Sequence, residues 1–311
     1  MKTAFLFPGQ GAQTVGMGAD IAEAYPEAAA LFDKANDILG LDLKKVCFEG
    51  PAERLNSTTM SQPAIFVTSA ALLEILQTSA ATAHVKADVT AGLSMGEYTA
   101  LYAAGAISFE DGLRLVRKRG EAMQAAADAT QGTMVSIIGL EEDKVRQLCD
   151  EARQGELIEP VNFNCPGQIV VSGSLGACAR AVELAAKYGA AKAVRLEVAG
   201  GFHTTLMASA AEALQQALVQ SRITQPAAAR TIANINAEYY QTAAEVISGL
   251  THQLTGAILW QKCMERLLAE GVEEFYEIGP GRVLTGLMKR INRKTKVINV
   301  SDLASVKALV G

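Results

Sequence analysis

The chain has 311 residues, of which 50% are hydrophobic, so it can bury a sizeable core in one large domain or in a large and a smaller one. Its formal net charge of −5, without a long basic tract, argues against nucleic acid as the main partner. Five scattered cysteines without a Cys-x-x-Cys pair indicate a reduced protein without a structural zinc or another metal centre.

The sequence also bears on location. The apolar run at the N-terminus is too short for a signal peptide, and no stretch of about 18 uncharged apolar residues predicts a membrane span. We therefore expect a cytoplasmic protein, or one of the stroma of a plastid or another organelle if a transit peptide has been removed.

The first 130 residues predict alternating strands and helices. The first strand ends at the turn Pro8-Gly9-Gln10-Gly11, and Ser108 is of a residue type favoured at helix N-caps. In chain order we predict a strand at 3–7, helices at 20–25, 27–39 and 63–80, a strand-like segment at 84–91, and helices at 97–104 and 108–127.

The pattern changes after residue 130. A strand at 133–138, a helix at 141–152, strands at 158–164 and 168–172, a helix at 175–188 and a strand at 191–198 follow one another. This βαββαβ order is typical of a small ferredoxin-like unit. Helices at 208–218 and 258–270 and a strand at 273–278 come next. We therefore predict an α/β protein with a large domain formed by 1–129 and 199–311 and an inserted subdomain at 130–198.

A Gly-x-Ser-x-Gly pentapeptide, Gly92 to Gly96, lies between the strand-like segment and a helix. In this context the pattern is typical of a nucleophile elbow, in which glycines permit a strained serine backbone and the helix N-terminus faces a developing oxyanion. An ordinary strand–helix turn is the simpler alternative. We favour Ser94 as a nucleophile.

A serine nucleophile requires a base, and the chain has three histidines. His84 precedes the elbow strand, and His252 lies in a predicted helix or helix end, so both are expected at the surface. His203 lies in a glycine-rich loop after the insertion, where catalytic residues of α/β folds gather, and is our candidate base. The acids between serine and histidine read as helix caps or surface residues, so we expect a dyad whose imidazole is oriented by an amide or a backbone carbonyl.

Arg119 follows three basic residues that read as the solvated face of a helix. It falls on the same side of that helix as Leu115, and an arginine on an apolar face requires a planar anionic partner. From this stretch alone, the partner of Arg119 is equally well interpreted as a structural carboxylate or as a carboxylate of the substrate.

With these residues in place, the chain resembles the malonyl-CoA:acyl carrier protein transacylases. The resemblance extends from residue 5 to about residue 290, in family order. It is carried by Phe7-Pro8-Gly9-Gln10-Gly11-Ala12-Gln13, Gln62-Pro63-Ala64, the elbow continuing as Glu97-Tyr98, Arg119-Gly120, Met123-Gln124, Asn162-Phe163-Asn164-Cys165-Pro166-Gly167-Gln168, Gly201-Phe202-His203, Gln253-Leu254 and Tyr276-Glu277-Ile278-Gly279-Pro280-Gly281-Arg282-Val283-Leu284.

The resemblance implies an α/β-hydrolase-like large domain with a parallel sheet and a ferredoxin-like insertion. It implies roles for Ser94 as nucleophile, His203 as general base and Arg119 as the group that binds the malonyl carboxylate. It also implies an oxyanion hole from the main-chain N–H groups of Gln10 and Met95. Further residues implied at the substrate site are Gln253, Met123, Phe202, Asn162 and Gln62, with Phe202 favouring malonyl over methylmalonyl groups.

Two positions depart from the family pattern. Leu93 replaces a usual histidine inside the elbow, and its side chain is expected to point away from the nucleophile, with a modest effect on activity. The proline that usually follows the Gln253-Leu254 pair is absent from Thr255-Gly256-Ala257, which is expected to shift the loop that positions Gln253.

The implied function is ping-pong malonyl transfer in fatty-acid synthesis, without a cofactor, since malonyl-CoA is a substrate and the carrier protein brings its own phosphopantetheine. A polyketide-synthase acyltransferase or acyl hydrolase and an inactive docking module are alternatives. We expect a monomer that interacts with neither nucleic acid nor membrane. Carrier proteins are acidic, so a basic patch is expected for docking, although the densest candidate also reads as a solvated helix end: Lys289, Arg290, Arg293, Lys294 and Lys296.

Overall fold

The computed structural model describes residues 1–310, whose strands form two separate sheets. Five strands form a wholly parallel sheet in the order β7-β2-β1-β8-β9, and four form an antiparallel sheet in the order β4-β5-β3-β6. The strands are β1 Lys2–Phe7, β2 Val89–Gly92, β3 Gly132–Ile138, β4 Ile158–Cys165, β5 Gln168–Ser174, β6 Lys192–Arg195, β7 Arg230–Thr231, β8 Val272–Ile278 and β9 Val297–Val300.

Helices connect these strands and cover them. The longest two, α5 and α7, have 21 residues each. The helices are α1 Ala19–Ala24, α2 Pro26–Leu39, α3 Leu43–Glu49, α4 Ala52–Asn56, α5 Thr58–Thr78, α6 Gly96–Ala103, α7 Phe109–Ala129, α8 Glu142–Arg153, α9 Leu175–Leu184, α10 Ala208–Gln220, α11 Ala243–Gln253, α12 Trp260–Ala269, α13 Val283–Ile291 and α14 Leu303–Val310.

The parallel sheet is buried on both faces. Along β1, Phe5 and Phe7 belong to one apolar core, whereas Ala4 and Leu6 belong to a second. Because successive side chains of a strand point to opposite faces, each face of this sheet has its own core. The α/β architecture with a parallel sheet is therefore confirmed.

The apolar helix expected at 63–80 is α5, and it begins five residues earlier, at Thr58. Pro63 therefore lies inside the helix rather than at its start, in its second turn. Although α5 is long and apolar enough to cross a membrane, 83% of its most apolar window is buried inside the protein, as in the core helix of a globular fold. The extension places Gln62 within the helix.

The antiparallel sheet and its two helices confirm the ferredoxin-like unit. Its strands and helices follow one another as β3-α8-β4-β5-α9-β6, and a third apolar core lies between them. They occupy positions 132 to 195, and the domain boundaries at 130 and 198 stay predictions.

Two predicted strands are shorter in the structure. The segment 84–91 is strand only from Val89, because residues 84–88 form turns and an extended link with exposed positions. The strand at 191–198 is β6 Lys192–Arg195, and the following residues Leu196 to Val198 leave the sheet to line a cavity.

Close packing between α5 and α7 depends on Gly120. A Cβ built on Gly120 would lie 2.6 Å from the Thr58 carbonyl oxygen, which is main chain and cannot rotate away. We expect Gly120→Ala to lower the free energy of unfolding by about 1–3 kcal/mol, since the helices must separate. Urea unfolding measures this change.

Gly286 provides the matched control, because a Cβ there would meet nothing within 4 Å. Gly286→Ala, at an exposed position of α13, should raise the free energy of unfolding by roughly 0.5–1 kcal/mol. Equal effects of the two substitutions would contradict the proposed close contact.

Candidate active site

Ser94 lies on the sharp turn between β2 and α6. Its φ of 52° is in the left-handed region, which costs free energy for a residue with a side chain. Side chains at the flanking glycines would overlap main chain, since a Cβ on Gly92 would overlap Gly96 and one on Gly96 would overlap the Phe7 carbonyl. These positions therefore require glycine, and the turn has the geometry of a nucleophile elbow.

Asn234 holds this strained turn in place. Its Oδ1 accepts a hydrogen bond from the Ser94 main-chain N–H at 2.7 Å, and its Nδ2 donates to the Gly92 carbonyl at 2.8 Å. Asn234 is 0% exposed. Asn234 was not predicted from the sequence, because a single asparagine 140 positions from the serine carries no local pattern.

Ser94 and His203 form a hydrogen-bonded pair. The Ser94 Oγ lies 3.0 Å from His203 Nε2, and His203 Nδ1 lies 2.7 Å from the main-chain carbonyl oxygen of Gln253. Because a carbonyl only accepts, Nδ1 carries the proton and Nε2 is free to accept the serine proton. The group that orients the imidazole is thus a backbone carbonyl, one of the two kinds of group expected from the sequence. His84 and His252 are exposed, as expected.

His203 is held neutral. Burial is the main cause that lowers the pKa of His203, and the Arg119 charge acts in the same direction. The hydrogen bond to the Gln253 carbonyl opposes both, and the resulting pKa is about 3. An imidazole with this pKa is unprotonated at neutral pH and available as a base. Its charged form costs more to reach than that of a solvated histidine.

Arg119 is buried, with 1% of its surface exposed, and it contacts the nucleophile. Its two terminal nitrogens donate to Gln62 Oε1 at 2.9 Å, to Ser94 Oγ at 2.9 Å and to Gln253 Oε1 at 3.0 Å. Among residues 1–310 no carboxylate forms an ion pair with it, and its Nε has no partner. Burial also lowers the pKa of Arg119 from its usual range. Of the two readings left open by the sequence, this geometry favours a carboxylate from the substrate.

A cavity of about 650 Å³ opens in front of Ser94 and Arg119. A volume of this size is typical of pockets that bind small molecules or cofactors. Side chains of both the parallel and the antiparallel sheet regions line it. The lining residues that were predicted as site residues from the sequence are Gln10, Ser94, Arg119, Met123, Asn162, Phe202 and His203. Further lining residues from the antiparallel unit include Met134, Ser136, Asn164, Gln168 and Val170.

Three predicted site residues do not line the cavity. Gln62 and Gln253 are 0% exposed and hold Arg119, and Gln62 also donates from Nε2 to the Met123 sulfur at 3.5 Å. The Met95 side chain is part of the core. Among residues 1–310 the main-chain N–H groups of Gln10 and Met95 have no hydrogen-bond acceptor, so both remain available for an oxyanion.

Leu93 is part of the cavity wall and also packs against the second core. The side chain at this position therefore affects the polarity of the cavity wall as well as the elbow. The expected shift of the segment that carries Gln253 does not separate it from the site, since its main-chain carbonyl and both side-chain ends contact catalytic groups.

Three residues that line the cavity have a buried side-chain oxygen without a hydrogen-bond partner. Ser136 Oγ, Asn162 Oδ1 and Asn164 Oδ1 are buried and unbonded among residues 1–310. Buried polar groups are normally paired, so these atoms indicate ligand-binding positions. Among the same residues no group of three His, Cys, Asp or Glu side chains is arranged to hold a metal ion.

The elbow serine, its histidine and the free N–H groups have the geometry of a serine-dependent acyl-transfer enzyme. The chain belongs to the acyl transferase domain family, whose model matches residues 4–310.

Its relatives are similar over their whole length. The malonyl CoA-acyl carrier protein transacylase of Bacillus subtilis (strain 168) is 44% identical over 310 residues, which cover 99% of this chain and 96% of the relative. An acyl carrier protein S-malonyltransferase from Vibrio cholerae superposes with a TM-score of 0.94 at 40% identity, with 99% of each chain covered. A malonyl-transacylase solved in complex with a type II polyketide-synthase acyl carrier protein superposes with a TM-score of 0.94 at 38% identity, covering 100% of this chain and 99% of that one.

The lowered pKa of His203 implies that the free energy of unfolding depends on pH. With a folded pKa of about 3 against 6.5 in the unfolded chain, the unfolded chain binds the proton first, so stability is lost as the pH falls below 6.5. Between pH 7 and pH 5 this contribution amounts to about 2 kcal/mol. We expect the loss of unfolding free energy over this range to be smaller by that amount in His203→Gln.

Urea unfolding of both proteins at the two pH values measures the difference. The subtraction removes the contributions of groups that both proteins share. Equal pH dependence in the two proteins would contradict a neutral, buried His203.

Proposed function

We propose that this protein transfers the malonyl group from malonyl-CoA to the phosphopantetheine thiol of acyl carrier protein, in fatty-acid synthesis. The observation that carries the proposal is the 2.9 Å hydrogen bond from the Arg119 guanidinium to Ser94 Oγ. It places a buried cation without an ionic partner directly beside the nucleophile. A carboxylate-bearing acyl group on Ser94 would lie within reach of that cation, and the full-length similarity to malonyl transferases supports the same conclusion.

In the first half-reaction, Ser94 Oγ attacks the thioester carbon and its proton passes to His203 Nε2. The main-chain N–H groups of Gln10 and Met95 stabilise the tetrahedral oxyanion, each contributing about 3 kcal/mol by comparison with other oxyanion holes. The carbon–sulfur bond then breaks, the CoA sulfur takes the proton from His203, and malonyl-Ser94 remains.

In the second half-reaction, the pantetheine thiol of the carrier protein attacks the malonyl-Ser94 ester. His203 accepts the thiol proton and returns it to Ser94 Oγ as the ester bond breaks. The products are malonyl carrier protein and the free enzyme. The hydrogen bonds of His203 to Ser94 Oγ and to the Gln253 carbonyl suit both proton transfers.

Arg119 provides the acyl selectivity. The malonyl carboxylate pairs with its guanidinium while Gln62 and Gln253 keep the other hydrogen bonds. An acyl group without a carboxylate leaves the buried charge unpaired, which is costly. Phe202 and Met123, both in the cavity wall, limit the space for an α-branched acyl group.

The rest of the cavity binds the pantetheine arm. Its amides can donate to the unpartnered oxygens of Asn162 and Asn164, which lie in the cavity wall. Leu93 and Val198 provide apolar contacts on the same wall.

The basic patch is our candidate docking surface for the carrier protein. All five of its cationic residues are exposed, and the patch includes the end of α13, whose Val283 and Leu287 line the cavity. Arg290 also donates to the carbonyls of Pro166 and Gly167, in the β4–β5 turn of the antiparallel unit. The patch is therefore close to the cavity, where an acidic carrier would have to present its arm.

A second candidate function has support from one relative. The structure of a transacylase with its type II polyketide-synthase carrier is as similar to this chain as the other malonyltransferases. A polyketide acyltransferase or acyl hydrolase therefore remains the alternative for the acceptor, whereas an inactive docking module does not explain the assembled Ser94–His203 pair. We further propose that the protein acts as a cytoplasmic monomer.

Intact mass spectrometry tests the proposed function. After mixing with malonyl-CoA, the protein should gain one malonyl group, and Arg119→Ala should form this adduct roughly a hundredfold more slowly, since a buried charge pair is lost. Acetylation by acetyl-CoA should hold or rise in the same variant. Equal losses for both acyl groups would contradict the role of Arg119.

Ser94→Ala is the control and should gain no acyl group. Addition of fatty-acid or polyketide carrier protein, each with its phosphopantetheine, identifies the acceptor. Release of free malonate without transfer would identify a hydrolase, and absence of any adduct on the unsubstituted protein would support an inactive module.

Charge reversal tests the docking patch. The double substitution Arg290→Glu with Lys294→Glu should raise the KM for carrier protein several-fold at low salt and leave the KM for malonyl-CoA unchanged. Lys144→Glu with Lys307→Glu, at two exposed sites outside the patch, makes the same change in net charge. The patch assignment fails if both pairs change the KM for carrier protein equally.

A further inference from the structure

Glu97 is a buried acidic residue that the acyl transfer described above does not use. It lies in the first turn of α6, three positions after Ser94, and is 0% exposed. Among residues 1–310 it forms no ion pair, although the charge of Arg119 influences it. Removing a carboxylate from water is costly unless hydrogen bonds compensate.

Three hydrogen-bond donors hold this carboxylate. The Tyr240 hydroxyl donates to Oε1, while the Asn234 main-chain N–H donates to Oε2 at 3.0 Å and Gln253 Nε2 donates to Oε2 at 2.9 Å. Two of these residues also contact the catalytic groups, since Asn234 holds the elbow and Gln253 orients the base. The Glu97 carboxylate therefore connects the residues that position nucleophile and base.

The Gln253 side chain shows why an anion is suited to this place. An amide presents an oxygen that accepts and a nitrogen that donates, and the two ends have nearly the same shape. Glu97 only accepts and Arg119 only donates, so the nitrogen faces Glu97 and the oxygen faces Arg119 at 3.0 Å. The same nitrogen donates to the Ser94 carbonyl at 3.1 Å. One orientation of the amide alone satisfies all of these contacts.

We propose that Glu97 is a positioning residue for malonyl transfer, whose buried carboxylate fixes Gln253 and Asn234 and, through them, the nucleophile, the base and the guanidinium. The inference rests on the proposed function, because it assigns a role within the same reaction. The role depends on the ionised form, since protonation replaces one acceptor site with a donor and removes the charge that strengthens the hydrogen bonds from the three partners.

The pH dependence of acylation reports this role. Burial raises the pKa of Glu97 to about 7, against the opposing effects of its hydrogen bonds and of Arg119. His203 does not titrate there, because its pKa is lowered to about 3. The other titratable groups that face Glu97 also keep one protonation state near neutral pH. Burial raises the pKa values of the Tyr98 and Tyr240 phenols and of the Cys263 thiol, so all three stay protonated. The Arg119 guanidinium stays charged.

Rapid-quench mass spectrometry from pH 5.5 to 9 measures malonylation of Ser94. The rate should fall as the pH decreases through about 7 in the unsubstituted protein. Glu97→Gln should slow malonylation on the order of 10- to 100-fold, as expected for a misplaced catalytic group, and should lose this acid limb. An unchanged rate and pH profile in Glu97→Gln would overturn the inference.

Glu277→Gln is the matched control. Glu277 is also 0% exposed and also accepts main-chain hydrogen bonds, from Leu284 and Thr285, but none of its hydrogen bonds reaches the nucleophile, the base or the guanidinium. It should retain the malonylation rate within about twofold, together with the acid limb. An equal loss in both variants would reduce Glu97 to a structural role and overturn the inference.

Tyr240→Phe keeps the assignment testable if Glu97→Gln does not fold. The Tyr240 hydroxyl stabilises the ionised carboxylate, so its removal should raise the pKa of Glu97 and move the acid limb to higher pH. An unmoved midpoint would overturn the assignment. Failure of the unsubstituted protein to be malonylated at any pH would instead refute the proposed function, so the two failures are distinguishable.

Discussion

The site depends on one constraint, namely that the Arg119 charge is buried without a carboxylate beside it. A buried cation is costly in free energy, and here amide and hydroxyl oxygens are its only hydrogen-bond acceptors among residues 1–310. Much of the surrounding structure follows from that requirement. Helix α5 must extend back to include Gln62, Gly120 must lack a side chain so that α7 packs closely, and Gln253 must present its oxygen.

The same arrangement sets the chemistry. Arg119 lowers the pKa of His203, the second cause after burial, so the base stays neutral beside the serine. The serine itself stays in the left-handed region because Asn234 pairs with its main-chain N–H. The strained backbone of Ser94, the lowered pKa of His203 and the unpaired charge of Arg119 each reduce stability. Together they are typical of a site arranged to stabilise a transition state rather than the folded protein itself.

Much of this was readable from the sequence, because the signals were local. The elbow is a five-residue pattern, the ferredoxin-like unit alternates regularly, and His203 was the only histidine in a glycine-rich loop. Helix α3 and the two-residue strand β7 were not predicted, since short segments have weak periodicity. Asn234 was missed because its role arises only in three dimensions, whereas Glu97 did carry a signal as a lone acid in an apolar helix.

The long sequence separations within the site have a consequence for synthesis of the protein. Ser94 precedes His203 by 109 positions, Asn234 by 140 and Gln253 by 159. A nascent chain emerges from the ribosome N-terminal end first. Ser94 is thus synthesised before His203, before Asn234, which holds the elbow, and before Gln253, whose carbonyl selects the tautomer of His203. The hydrogen-bonded Ser94–His203 pair can therefore be completed only after translation has passed Gln253, whose carbonyl accepts from His203 Nδ1.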